Sequence, residues 1–269
     1  MSSPDIALVI STLNAGIHRT EALLRYGWHQ VVIVHQITDG RQTEYADQHA
    51  RLRQPGAHII VQQFGGLSKS RNAGLDAVTA DYALITDDDV QFPDDVVSRI
   101  RTAIHACPQA DILTLCAETP GGEPFKRYPK NTAPHTLRTA ARVSSIEMVI
   151  AISWWKKKQS RFHERFGLGA DYPTGEEYVF MTAAIRAGAR AWYFPAPVVI
   201  HPALSSGRVM HAEQLFNKGA MLQCVFGRLA LPYLLAFAWR KRDMYKNAFS
   251  LTTAIRHLMA GSKHYRAHD

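Results

Sequence analysis

Short apolar runs alternate with helically spaced ones over the first 116 residues. Ile6–Ser11, Gln30–His35, His58–Gln63, Tyr82–Thr86 and Asp111–Cys116 read as strands. Between them, segments 17–26, 41–53, 68–79 and 94–106 read as helices; in the last, Val97, Ile100 and Ile104 recur at helical spacing. Repeated β–α alternation predicts an α/β fold with a mostly parallel, doubly wound sheet flanked by helices. Residues 117–142 break the rhythm. Pro120-Gly121-Gly122, Pro124, Pro129 and Pro134 interrupt regular structure, and Lys126, Arg127, Lys130, Arg138 and Arg142 make the stretch basic. A long irregular segment of this kind predicts a binding loop. Ile146, Met148, Ile150 and Ile152 then alternate as in a half-buried strand, which ends at Trp154-Trp155 and Lys156-Lys157-Lys158.

Beyond these, Thr174-Gly175-Glu176-Glu177 opens a helix that runs through Ala187 and closes at Gly188. Ala191–Phe194 and Val198–His201 are two short extended pieces around Pro195 and Pro197. From Ser205 onward the pattern is helical. Leu229–Trp239 is apolar, too short to span a bilayer and broken by Pro232, and Arg240-Lys241-Arg242 follows at once. That order suits a segment lying in a membrane interface; a helix packed on the protein's own core reads the same way.

Composition adds two constraints. A hydrophobic share of 46% and a charged share of 20% are ordinary for a globular protein. The net charge of +8 is unevenly placed: from residue 201 onward ten Lys and Arg stand against three Asp and Glu. A basic tail on a near-neutral body points to a polyanion, either an anionic membrane surface or nucleic acid. No signal peptide is expected, because Asp5 interrupts the N-terminus and Ile6–Ile10 is too short an apolar region. Cys107, Cys116 and Cys224 have no metal-binding spacing, which fits a reducing cytoplasm.

The candidate chemistry begins at Asp87-Asp88-Asp89, directly after the strand at 82–86. Three carboxylates at a strand's carboxyl end repel one another unless a cation or a solvent-filled cleft relieves them. Open α/β sheets bind ligands there, so a divalent metal carrying a phosphorylated substrate is expected; a solvated acidic turn before the helix at Pro93 is the alternative. Gly65-Gly66-Leu67-Ser68-Lys69-Ser70-Arg71-Asn72-Ala73-Gly74 joins a strand to a helix, where glycines and free N–H groups favour an anion. Glu176 and Glu177 open the later helix. Thr174-x-x-Glu177 fits a capping box, and a base at a helix N-terminus needs burial or a neighbouring acid to offset the dipole. His201 follows Val198-Val199-Ile200.

In chain order these motifs are Thr12 and Asn14, Gly-Leu-Ser-Lys-Ser-Arg-Asn-Ala-Gly-Leu at 66–75, Thr-Asp-Asp-Asp at 86–89, Phe166-Gly167-Leu168-Gly169, Gly175-Glu176-Glu177 and His201-Pro202. Together they resemble bacterial family 2 glycosyltransferases of the GT-A fold, over about residues 5–202. The resemblance implies that Asp87 and Asp89 contact the ribose and metal of a nucleotide-sugar, with Asp89 the more direct ligand of Mn²⁺ or Mg²⁺ and His201 a further metal or diphosphate contact. It implies a catalytic base at Glu177 or Glu176, and Arg71 and Asn72 near the nucleotide; Thr12, Asn14, Ser68 and Asp88 complete the set expected around the donor. Many members end the second strand in an acidic pair that helps hold the base. Here the strand ends His35-Gln36, and Gln36 offers an amide in its place.

The expectation is therefore a metal-dependent, inverting glycosyltransferase. It takes a nucleotide-diphosphate sugar and a glycan or lipid-linked acceptor, as in bacterial surface polysaccharide synthesis, and no nucleic acid. The expected division is a catalytic domain over 1–205 and a helical basic extension over 206–269, with the protein cytoplasmic and peripheral on the inner membrane face. The loop 117–142, with Trp154 and Trp155, is expected to shape the acceptor site. Two other classes remain open: a nucleotidyltransferase on a similar sheet, and a non-enzymatic polyanion- or membrane-binding protein.

Overall fold

The computed structural model describes residues 3–53, 55–157, 160–202 and 209–268. The strands are β1 (Ile6–Leu13), β2 (Gln30–Gln36), β3 (Ala57–Gln62), β4 (Tyr82–Asp87), β5 (Ile112–Glu118), β6 (Ala133–Pro134), β7 (Met148–Ala151) and β8 (Ala191–Ile200). Among the described residues they form one eight-stranded sheet in the order β3-β2-β1-β4-β7-β5-β8-β6. β1 to β4 are mutually parallel, as their separation by helical segments requires.

Both faces of the sheet are covered. Ile6, Leu8 and Ile10 of β1 meet Val97, Ile100 and Ile104 of α3 (Val96–Ala106) on one side. Ala7 and Val9 meet Leu75 of α2 (Leu67–Asp76) and share a core with Phe180 of α5 (Glu176–Arg186) on the other. This is why the central strands read as unbroken apolar runs. Leu52 of α1 (Ala46–Leu52) joins the same core as Val31 and Ile33 of β2. The helix expected over 17–26 is a 3₁₀ helix, Asn14–Tyr26, whose buried Ile17, Thr20 and Leu23 recur every third residue, the 3₁₀ period.

Two strand expectations change. The alternating pattern at 146–152 is not a half-buried strand: Ser145–Glu147 forms a 3₁₀ turn, and β7 is buried on both faces because it runs antiparallel between β4 and β5. The pieces at 191–194 and 198–201 are one strand. β8 runs through both prolines, and its register with β5 slips between Thr114 and Ala117 to accommodate them. Trp154 and Trp155, on α4 (Ile152–Trp155), are not in an acceptor site. They are buried against Phe180 and, for Trp155, Phe162, with Trp155 Nε1 donating to Asp76.

The chain ends in α6 (Ala212–Phe226), α7 (Ala230–Arg240) and α8 (Leu251–Ala267). Leu215, Met221, Val225, Leu234, Ala254 and Leu258 form a third core, which Phe166, Tyr172 and Val179 join. α6 and α8 cross at reciprocal glycines. A Cβ on Gly219 would lie 2.0 Å from the Leu258 carbonyl oxygen, and one on Gly261 would lie 1.8 Å from that of Phe216. Only glycine permits that approach. The boundary expected at 205/206 lies outside the described residues.

Candidate active site

β1 is followed by β2 on one side and neighboured by β4 on the other, which leaves a crevice at their carboxyl ends. Asp87, the last residue of β4, pairs in register with Ser11. The three acids that follow one another in sequence diverge in space, and each has a different partner.

Asp87 faces Arg71. This arginine sits on α2, immediately after Gly65-Gly66, and is 1% exposed. Its Nη2 lies 3.3 Å from Asp87 Oδ1 and donates to Ser145 Oγ at 2.6 Å; its Nη1 donates to Glu176 Oε1 at 3.0 Å. Burial opposes the guanidinium charge, but Asp87, Glu176 and Glu177 outweigh it and hold Arg71 above its usual pKa. Burial pushes the Asp87 carboxyl up, against the pull of Arg71. Arg71 thus gathers Asp87 and Glu176, 105 residues apart along the chain in the second case, around one buried cation.

Glu177 is the carboxyl of the pair that Arg71 does not bond directly. It accepts a hydrogen bond from Ser145 Oγ at 3.3 Å and is partly buried. Burial and the adjacent Glu176 push its pKa up to about 7, with Arg71 acting in the opposite direction. The dipole at the α5 N-terminus is therefore overcome by the two effects that could do so, desolvation and a neighbouring acid. The Thr174–Glu177 capping box does not form. The N-cap is Gly175, left-handed at φ 72° and without a side-chain cap, and Thr174 Oγ1 instead accepts from Lys218 Nζ at 2.6 Å. A side chain at 175 would also collide with Met221.

Asp88 turns to the other wall of the crevice. Thr12 Oγ1 donates to its Oδ2, and Arg19 Nε donates to its Oδ1 at 3.0 Å. Asp89 is exposed, 3.7 Å from His201 Nε2. His201 Nδ1 lies 2.8 Å from the Pro202 carbonyl, which can only accept, so Nδ1 donates there. Nε2 faces the Asp89 carboxylate. A carboxylate and an imidazole nitrogen this close are a donor set that fits a divalent ion. Among the described residues no group of three or more His, Cys, Asp or Glu side chains is arranged to hold a metal. A two-residue site suits an ion that completes its shell with water and substrate phosphate oxygens. Asp87 is engaged by Arg71 and is not part of the Asp89–His201 pair.

Other expected residues are placed as supports. Ser68 Oγ donates to the Phe166 carbonyl at 2.6 Å and is fully buried, tying the glycine loop before α2 to the Phe166–Gly169 turn. Asn72 bonds both main-chain groups of Phe162, at 2.9 and 3.0 Å. Gln36 Nε2 donates to the Gly66 carbonyl at 2.9 Å. Asn14, left-handed at φ 48°, accepts from Thr38 N at 2.8 Å at the mouth of the crevice.

Three residues had no sequence expectation. Arg19, on the 3₁₀ helix 14–26, bonds Asp88, and Lys218, on α6, bonds Thr174 beside the glutamate pair; nothing local in the sequence marks either. Burial lowers the Lys218 pKa, and Glu177 and Glu176 counteract this. Ser145 bridges Arg71 and Glu177; the Ser144-x-x-Glu147 capping box that fixes its turn was legible. On the far side of that turn, Lys126 Nζ bonds Ser144 Oγ and Glu147, each at 2.8 Å, forming one wall of a cleft of about 880 Å³. Arg127, Tyr128 and Tyr193 also line it, the two tyrosine rings stacked 6° from parallel. The basic loop thus flanks a cleft one residue removed from the partner of Glu177.

The fold is that of GT-A glycosyltransferases. The glycosyl transferase family 2 model matches residues 19–172, and the chain belongs to that family. It is a glycosyltransferase. Among solved structures it is similar to S. aureus TarS 1-349, at 14% identity and a TM-score of 0.61, covering 98% of this chain and 92% of that one. The same portion in complex with UDP-GlcNAc matches at 14% identity and 0.60, with the same coverage. S. aureus TarS itself matches at 15% identity and 0.58, with 98% of this chain and 55% of that one covered. At these identities the likeness is one of fold. No curated protein matches the chain.

Proposed function

We propose that this protein is a metal-dependent, inverting glycosyltransferase that moves a sugar from a nucleoside-diphosphate sugar to a hydroxyl of a glycan or lipid-linked acceptor. The observation that carries the reading is the split between Glu176 and Glu177. Glu176 is neutralised by Arg71 and serves structure, whereas Glu177 has a pKa of about 7 and can both accept and release a proton near neutrality. The nucleotide lies along the crevice between Thr12, Asn14 and Asp87. UDP and UDP-GlcNAc are bound by the structurally similar TarS, which favours a uridine donor here.

Asp89 and His201 would hold Mn²⁺ or Mg²⁺, and the imidazole favours Mn²⁺. When bound, such an ion neutralises charge on the departing nucleoside diphosphate. Glu177 takes the proton of the acceptor hydroxyl as its oxygen bonds to the anomeric carbon. The bond from that carbon to the diphosphate breaks on the opposite face, so configuration inverts and no protein nucleophile is needed. Ser145 holds Glu177 in place and Arg71 keeps its neighbour ionised. The cleft beside Lys126, Tyr128 and Tyr193 takes the acceptor; stacked aromatic faces suit sugar rings and the cations suit acidic groups.

The test separates the base from the binding groups. Glu177→Gln should lose turnover, read as nucleoside diphosphate released, by about a hundredfold or more, with donor binding retained. Glu176→Gln should be destabilised, because Arg71 loses a partner. Full turnover in Glu177→Gln would refute the assignment.

A further inference from the structure

α7 is apolar but only partly used by the protein. Ala230, Leu234 and Ala238, four residues apart, are its buried face. One position further round, Leu231, Leu235 and Trp239 recur at the same spacing and are 52%, 44% and 66% exposed. Leu229, in the turn before α7, and Tyr233, further round the exposed side past Pro232 and Ala236, are exposed too, and Tyr233 is braced by a stacked ring, Phe226, at 3.5 Å. An apolar stripe of this size, continuous along one helix, marks an interaction surface.

Its borders say what it meets. Arg228 stands at one end and Arg240-Lys241-Arg242 at the other, all exposed, with Lys246 beyond. From 228 to 246 there are five Lys and Arg against one acid, Asp243, which pairs with Lys246 at 2.7 Å. Apolar and aromatic side chains on one face, with cations at both ends and no acid between them, match a headgroup region with apolar chains beneath it. A second copy would set the same cations against each other, which disfavours self-association through this face.

The packing of α6 and α7 argues against a bilayer crossing. Ala212–Arg240 has 29 residues and is long and apolar enough to span by length and composition alone. However, α6 is committed to the third core, its Gly219 is in backbone contact with α8, and its Lys218 bonds Thr174 beside the acids. Withdrawing α6 into lipid would dismantle the site. α7 alone is about 16 Å long, half the hydrocarbon thickness.

We propose that α7 is an interfacial anchor for an anionic phospholipid bilayer. Leu229, Leu231, Tyr233, Leu235 and Trp239 insert at the headgroup–acyl boundary, and Arg228, Arg240, Lys241 and Arg242 contact lipid phosphates. None of these residues belongs to the acidic crevice, so anchoring and transfer are separable.

Flotation of the full chain with phosphatidylcholine vesicles, with and without phosphatidylglycerol, tests this. The protein should float with anionic vesicles at low salt, and less so at high salt. Leu231→Ser/Leu235→Ser/Trp239→Ser, all exposed sites, should reduce partitioning tenfold or more while keeping the wild-type melting temperature and the nucleotide-induced thermal shift. Arg240→Ala/Lys241→Ala/Arg242→Ala should reduce it and flatten the salt dependence. Protein remaining unbound at low salt, or equal binding by the serine variant, overturns the proposal. A dimer in sedimentation that the serine substitutions dissolve, without vesicle binding, also overturns it and assigns the face to a second copy.

Discussion

Glu177→Gln should make the protein more stable at alkaline pH while removing its activity. In the folded chain, burial and Glu176 raise the Glu177 pKa from 4.5 to about 7. A carboxyl with a higher pKa folded than unfolded binds more protons in the native state, so stability falls as pH rises between the two values. At ~1.4 kcal/mol per pH unit, the ionised side chain costs the native state about 3 kcal/mol once the pH is well above 7. Glutamine keeps the shape and the bond from Ser145 but carries no charge. At pH 8 the variant should therefore melt about 6 °C above wild type, from about 2 °C per kcal/mol for a chain of this size. Near pH 4.5, where the native carboxyl is protonated, the difference should vanish. Differential scanning fluorimetry across this range measures the first effect. Initial rates of nucleoside diphosphate release measure the second: wild-type turnover should rise with pH through about 7 and be about a hundredfold or more lower in the variant. A variant less stable than wild type at pH 8 would refute the reasoning, because the carboxylate would then be a stabilising partner of Arg71 or Lys218 and not a strained base.

Three further perturbations probe other parts of the structure. Arg71→Met leaves Asp87 and Glu176 without their buried cation and should cost about 3–5 kcal/mol in urea unfolding at neutral pH; a loss equally large at pH 4 would mean that packing, not charge, was removed. Gly261→Ala should destabilise by about 1–3 kcal/mol because the methyl meets a backbone oxygen; in an uncrowded helix the same change stabilises by about 1 kcal/mol, so the sign decides. Lys218→Met removes a cation that sits near Glu177 and should move the rising limb of the pH–rate profile to higher pH; an unmoved limb would place Lys218 outside the base's field.

The parts of this fold that could be read from sequence are those set by local pattern. β1, β2 and β4 are buried along nearly their whole length, so each carries an apolar run, and the acids at 87–89 are informative because they end such a run; β3, at the sheet edge, is only partly buried. β7 was misread because its burial comes from insertion between two strands distant in sequence, which alternation within four residues cannot encode. Pro195 and Pro197 split β8 on paper, whereas in space the register slip against β5 absorbs them. In the site, glycine- and acid-rich segments were legible as segments, but the task of each side chain was not. Ser68 and Asn72 bond the main chain around Phe162–Phe166, and that chain returns to α2 only through the tertiary fold. Arg19, Lys218 and the crossing of Gly219 with Gly261 depend on helix placement alone.

The central claim is that a nucleoside diphosphate is held at the β1–β4 crevice through a divalent ion on Asp89 and His201. Thermal shift with UDP, GDP, CDP and dTDP, each with and without Mn²⁺, tests it most directly, run in parallel on wild type and Asp89→Asn. One nucleotide, at about a hundredfold over its Kd, should stabilise wild type by about 2.7 kcal/mol only when Mn²⁺ is present, and Asp89→Asn should keep its own melting temperature but lose that response. Equal stabilisation of both proteins, or none by any nucleotide, would contradict the account.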